Sequence, residues 1–349
     1  MSAKFRIGMN REMLDEKGDL PPYDMGLQFL REVPFIEFAP FDRFEPVIKP
    51  DQARGYDAVI AGAARWNRDS FADGGADRLV HLARWGVGFD SIDVAACTEF
   101  DVMLTTTRGA LDHCVAESAL SFMLACCHRM LFKDRMCRAG GWKERTYTLG
   151  TELRDRTLGI VGLGGIGSAL VKLVAPFNLK ILVFDPFVTA QRAAELGVER
   201  TQLDDLLCRA DFVSIHCPKT PETTDLIKLR ELKLMKPTAY LVNTARGGIV
   251  NQRDLYVALS DGIIRGAGID VFEVEPPDPK DPLFTLDNII VSPHANSLTE
   301  ECWRDIGHHA CRNLVKTARG EQAEFVINPE VLKKPSFRAK WDRLRNRLG

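Results

Sequence analysis

Gly162, Gly164 and Gly167 stand in G-x-G-x-x-G register, directly after the apolar run LGIVGL (158–163) and at the head of an amphipathic segment. A strand that turns at once into a helix needs those positions bare. The first allows the tight turn, the second lets backbone approach a phosphate, and the third lets helix and strand pack closely. With Gly165 and Ile166 they put the N–H groups of a helix N-terminus where an anion collects them. The next apolar run, ILVF (181–184), ends in Asp185, about 20 residues beyond the glycines, the spacing of an acid that binds an adenine ribose diol. Its carboxylate accepts two hydroxyl hydrogen bonds and repels a 2′-phosphate, and Pro186 and Phe187 supply no cation. The expected cofactor is therefore NAD rather than NADP.

The runs FVSIH (212–216), AYLVN (239–243), GAGIDV (266–271) and NIIVS (288–292) continue the alternation, separated by helical segments such as 252–261. This pattern predicts a doubly wound parallel α/β sheet of the Rossmann type. An earlier series, FRIGM (5–9), FIEF (35–38), AVIA (58–61), VHLA (80–83) and VML (102–104), predicts a smaller flavodoxin-like α/β domain. Between the two series one long helical stretch is expected over 113–138, broken by Gly140-Gly141. Helix returns over 298–319, and the tail with NPEVLKKP and RAKWDRLRNRLG is too short for a domain of its own. Its basic residues read as a solvated helix face. The expected division is 1–112 as the first part of a substrate domain, 113–297 as an inserted NAD-binding domain, and 298–349 returning to the first. A chain of 349 residues exceeds what one core usually serves.

A net charge of -2, with acids and bases interspersed, argues against nucleic acid or an acidic membrane surface as partner. The apolar runs fall short of the roughly 20 residues a membrane helix needs, and MSAKFRIGMNREML lacks a signal-peptide core. A cytoplasmic protein acting on a small molecule is expected. Nine cysteines, odd in number and without a C-x-x-C pair, read as reduced thiols, with Cys126 and Cys127 as packing residues. No metal is expected, since His308 and His309 on a predicted helix point about 100° apart.

Ligands of a doubly wound sheet sit at the carboxyl ends of its strands. There the chain places Cys217 and Pro218, with Thr223 further along the same loop, then Thr244, Ala245 and Arg246, then Asp270, and finally His294. Reducing a 2-oxo acid requires a fixed cation at the substrate and a proton donor for the developing alkoxide. Arg246 has the planar fork for the first task and His294 suits the second. A carboxylate on the far ring nitrogen, for which Glu275 stands available, would orient the imidazole and favour its charged form.

With these residues the chain resembles the D-isomer-specific 2-hydroxyacid dehydrogenases, particularly their phosphoglycerate dehydrogenase-like branch, over roughly residues 55 to 335. The motifs are WGVGFDSID (85–93), TLGIVGLGGIG, HCPKTPETT (216–224), VNTARGGIVN (242–251), GAGIDVFEVEPP (266–277) and SPHANSLTEE (292–301). The resemblance implies an NAD-dependent dehydrogenase in which Arg246 binds substrate, Glu275 partners the histidine and His294 is the general acid or base. It further implies that the backbone amides of Val87 and Gly88 hold the substrate carboxylate, that Asp270 lies near the nicotinamide amide, and that the region 113–142 pairs two subunits as a homodimer. Two departures stand out. Asn296 and Ser297 replace a small apolar residue and a glycine, and are expected to add polar contacts near the nicotinamide or substrate. The arginine that follows the third substrate-domain strand in the phosphoglycerate enzymes is out of register here, at Arg65 in AGAARWN, which argues against a phosphate-bearing substrate. The alternative reading is a non-enzymatic dinucleotide-sensing protein of this fold, similar to the family's corepressors.

Overall fold

The structure, a computed structural model, describes residues 4–348. The chain divides into two compact units, one formed by the segments up to Leu111 and from Thr299 onward, the other by Asp112–Leu298.

The first unit holds a five-stranded sheet of β1 (Phe5–Met9), β2 (Ile36–Pro40), β3 (Ala58–Ala61), β4 (His81–Arg84) and β5 (Met103–Thr105). Every pair is parallel and the order is β2-β1-β3-β4-β5, the flavodoxin-like arrangement. The segment AVIA of β3 is wholly buried, as expected of a strand covered on both faces. The returning chain supplies the helix Glu300–Ala318 and the terminal helix Pro335–Leu348. It is tied in by buried polar contacts: His81 binds Thr105 Oγ1 through Nε2 and Thr317 Oγ1 through Nδ1, each at 2.8 Å. Burial pushes this imidazole down to about 3, so it serves as a neutral bridge.

The terminal helix keeps Arg338, Arg343 and Arg345 exposed, as a solvated basic face requires, and departs from that reading at two residues. Arg347 donates to Asp57 Oδ1 at 2.8 Å, beside Arg78, on a carboxylate that is 1% exposed. Lys340 is buried and donates to the carbonyls of Phe100 and Asp101 at 3.0 and 3.2 Å. Both basic side chains anchor the helix to buried acceptors of the first unit.

The second unit holds β6 (Thr157–Val161), β7 (Lys180–Phe184), β8 (Glu199–Arg200), β9 (Phe212–Ile215), β10 (Tyr240–Asn243), β11 (Gly266–Ile269) and β12 (Ile289–Val291). The order β12-β11-β10-β9-β6-β7-β8, all parallel, is the doubly wound Rossmann arrangement. Its winding reverses between β6 and β9. β8 is an edge pair of two exposed residues without apolar character, and the hydrophobic pattern did not predict it.

The expected continuous helix over 113–138 is two helices, Asp112–Cys127 and Met130–Arg138, bent by 56°. The cause lies 24 positions away. Thr151 N–H donates to the Cys127 carbonyl at 2.8 Å, taking the acceptor that the next helical turn would use, and Arg129 turns into the left-handed region at φ 54°. The first helix packs its Phe122 against Gly268 of β11, where any Cβ would collide with the ring. No single helix among the described residues is long and apolar enough to cross a membrane.

Candidate active site

In the second unit the crossover from β6 into the helix Gly165–Leu173 shows what each glycine does. Gly162 has φ 95°, and a Cβ there would lie 2.7 Å from the backbone nitrogen of Cys217. A Cβ on Gly164 meets no atom within 4 Å, so this residue faces open space at the helix N-terminus. A Cβ on Gly167 would run into the Gly162 carbonyl, which is how the helix approaches the strand. Asp185 ends β7, where Oδ2 accepts from Leu163 N–H and Oδ1 from Phe187 N–H, each at 2.8 Å. These bonds fix the carboxylate beside the glycine loop and leave each oxygen a lone pair for a vicinal diol.

The ends of β9 and β10 add neutral and unsatisfied groups. Burial, with the charge of Asp185, pushes the Cys217 thiol up to about 11, so it stays protonated. Burial likewise holds His216 neutral, its pKa pushed down to about 4, with Nε2 bonded to Ser214 Oγ at 2.8 Å. His216 Nδ1 and Thr244 Oγ1 are buried without a hydrogen-bond partner. Orphaned polar atoms at strand ends are what a bound ligand satisfies. An anion-receiving turn, a diol-receiving carboxylate and these orphans fit a dinucleotide with an unphosphorylated ribose.

Arg246, Glu275 and His294 lie on the loops that follow β10, β11 and β12. The Arg246 loop is shaped by the buried Asn243, which accepts from Ala245 N–H at 3.1 Å and donates through Nδ2 to the Arg246 carbonyl at 3.0 Å. Gly247 then presses on the Glu275 loop, where a Cβ would collide with the Phe272 carbonyl. Glu275 Oε1 accepts from Phe272 N–H at 3.0 Å, and Oε2 is 2.8 Å from His294 Nδ1. Burial opposes the charge on Glu275. The bonds from His294 and the Phe272 N–H, with the charges of His294 and Arg246, outweigh it and hold the carboxyl below its ordinary range.

His294 sits at φ 55°, a left-handed conformation that costs a residue with a side chain of order 1–3 kcal/mol unless its surroundings fix it. Asp270 does so: its buried Oδ1 accepts from the N–H groups of both Ala295 and Asn296, at 3.0 and 3.1 Å. With Nδ1 engaged by Glu275, Nε2 is the nitrogen left for chemistry.

The remaining expected residues are placed as follows. Thr223 Oγ1 donates to the Pro218 carbonyl and accepts from Thr220 N–H, both at 2.7 Å, so it clips its own loop. Asn296 sends its amide donors to Ser118 and Ser121 of the helix Asp112–Cys127, with Nδ2 2.7 Å from Ser118 Oγ. These bonds spend its donors on the neighbouring helix and leave its carbonyl oxygen for a polar contact. In the first unit, Gly86 at φ 127° opens the loop of Val87 and Gly88, whose N–H groups meet no acceptor among the described residues. Arg84 Nε holds that loop through the Gly88 carbonyl at 2.8 Å. The sequence reading did not single out Asn243 and Arg84. Asn243, a turn-forming residue between a strand and Thr244-Ala245-Arg246, was the findable one. Among the described residues no group of three His, Cys, Asp or Glu is placed to hold a metal.

Comparison with known proteins shows the family and the fold. The family model of the D-isomer specific 2-hydroxyacid dehydrogenase NAD binding domain matches residues 120–296. The chain is 41% identical over 261 residues to a glyoxylate reductase of Korarchaeum cryptofilum, covering 74% of this chain and 79% of that protein. It is 36% identical over 310 residues to a D-3-phosphoglycerate dehydrogenase of Methanocaldococcus jannaschii, covering 88% of this chain and 58% of that protein. Among solved structures, an NAD-dependent formate dehydrogenase from Staphylococcus aureus in complex with NAD matches with a TM-score of 0.79 at 27% identity, over 92% of this chain and 98% of that one. The apo D-lactate dehydrogenase from Escherichia coli matches with a TM-score of 0.76 at 25% identity, over 92% and 99%.

Proposed function

We propose that this chain, which belongs to the D-isomer specific 2-hydroxyacid dehydrogenase family and carries its NAD-binding domain, reduces the carbonyl of a small 2-oxo acid through Arg246, Glu275 and His294. The observation that carries the assignment is the 2.8 Å contact between Glu275 and His294 Nδ1 on loops adjoining Arg246. NADH, when bound, supplies the hydride, and Gly162, Gly164, Gly165, Ile166, Gly167 and Asp185 hold it by pyrophosphate and ribose. The carbonyl oxygen gains negative charge as it is reduced, and His294 delivers a proton to it from Nε2. Glu275 keeps Nδ1 protonated and the ring oriented. Arg246 offers its fork to the substrate's carboxylate and carbonyl oxygens. The N–H groups of Val87 and Gly88, which lack acceptors among the described residues, take the carboxylate as well.

NADH oxidation on addition of glyoxylate or hydroxypyruvate tests this reading. A dinucleotide-sensing protein would bind NADH and leave it unconsumed, and that outcome would sink the proposed activity.

The same reading includes a homodimer. Met130, Leu131, Trp142, Tyr147 and Leu149, within twenty positions of each other, are 48% to 86% exposed, a concentration of large apolar groups that a second copy would cover. A monomeric mass by light scattering at micromolar concentration would refute it. None of the nine cysteines forms a disulfide among the described residues, which suits a cytoplasmic location, where thiols are kept reduced.

A further inference from the structure

We propose that Glu12 reads the far end of the substrate, selecting a 2-oxo acid that ends in a hydroxyl or ammonium over one that ends in a phosphate or second carboxylate. The proposal rests on the 2-oxo acid reading above.

The winding of the first sheet reverses between β1 and β3, and open α/β sheets take their ligands at the carboxyl ends of the strands flanking that point. Glu12, just past β1, spans this place. Its Oε1 accepts from Ala64 N–H, past β3, at 2.8 Å and from Asn10 Nδ2 at 3.1 Å. Gly62 makes room for it, since a Cβ there would stand 2.5 Å from Oε1. Glu12 Oε2 accepts nothing among the described residues. Asn10 is fully buried, and its Oδ1 also lacks a partner. Glu12 Oε2 is thus an unmet acceptor at this crevice, which a donor satisfies and an anion does not.

The loop proposed to hold the substrate carboxylate lies one strand away. Trp85 N–H, which leads into Val87 and Gly88, bonds the Ala61 carbonyl at 2.9 Å. Neighbouring strands lie about 4.8 Å apart, close to the span of a short 2-oxo acid from carboxylate to the group on its third carbon. The cation at the end of β4, Arg84, spends donors on the carbonyls of Ala61, Trp85 and Gly88.

The test compares glyoxylate, hydroxypyruvate and oxaloacetate as substrates of wild type and of Glu12→Gln. Glutamine keeps an acceptor for Ala64 N–H, so the loop has no cause to rearrange. Wild type is expected to favour hydroxypyruvate over oxaloacetate in kcat/KM by about tenfold or more, and the variant to narrow that ratio about tenfold, chiefly through KM for oxaloacetate. An unchanged ratio in a folded variant overturns the proposal, as does a wild-type preference for oxaloacetate. The wild-type comparison decides alone if the variant does not fold. Glyoxylate has no side chain to read, so failure of wild type to reduce any of the three would overturn the activity and not merely its selectivity.

Discussion

In the second unit the loop after β6 brings three glycines and a helix N-terminus to the point where the sheet reverses, whereas the corresponding loop after β1 in the first unit brings Asn10, Arg11 and Glu12. Both sheets are parallel, and both open a crevice at the same topological place. Bare backbone and unpaired N–H groups make one crevice receptive to a phosphate. The Glu12 carboxylate, with one oxygen unmet, makes the other receptive to a donor. Topology thus sets where a ligand lies, and a handful of side chains in one loop set the sign of the charge it carries.

The contrast can be broken at its largest point by removing the proton donor on the second sheet. His294→Ala should slow 2-oxo acid reduction by roughly 100- to 10,000-fold while NADH affinity, read by fluorescence titration, stays within a few fold. Equal losses in both would mean that this edge does not separate cofactor from chemistry. Gly162→Ala adds a Cβ at φ 95° against the Cys217 backbone, so stability should fall by about 1–3 kcal/mol, with weaker NADH binding. An unchanged melting temperature would show that the turn does not need glycine.

Smaller effects sharpen the same contrast. Asp185→Asn keeps an acceptor for Leu163 N–H but removes the charge, and the preference for NADH over NADPH should narrow about tenfold. In Glu275→Gln a neutral amide replaces the carboxylate that meets His294 Nδ1, so 2-oxo acid reduction should slow, and an unchanged rate counts against the pair. Because the Glu275 carboxyl is held below its ordinary range, it stabilises the fold above that range and loses the contribution as pH falls through the lowered value. The difference in melting temperature between wild type and Glu275→Gln should accordingly shrink on acidification.

Much of the fold could be read from local pattern. AVIA, ILVF and AYLVN are short β-branched or apolar runs bounded by turn residues, and each lies within a residue of its strand. The glycine register and Asp185 were legible because their spacing is itself the geometry of a strand, turn and helix. What escaped depended on partners far along the chain. The break after Cys127 is made by Thr151, β8 forms from two exposed residues that happen to lie beside β7, and Arg347 finds a buried carboxylate 290 positions earlier. The candidate site divides in the same way. Arg246, Glu275 and His294 announce themselves by residue type at strand ends. Asp270 is equally legible as a strand-end residue, though not its grip on the turn of His294, whereas Asn243, holding the Arg246 loop, acts through backbone groups and leaves no periodic trace.

The discontinuity of the first unit also has a consequence for synthesis. Asn328 accepts from Leu104 N–H and donates to the Val102 carbonyl, both at 2.9 Å, and Val326 bridges to Thr105, so the chain's last portion completes the edge at β5. A ribosome releases that portion only after all of residues 112–298, so the domain begun first is finished last. Until then β5 presents unpaired backbone and His81 lacks Thr317. The nascent chain therefore carries a sticky, half-built sheet throughout the period in which its inserted neighbour folds, and a stop codon shortly before residue 317 would leave it that way permanently.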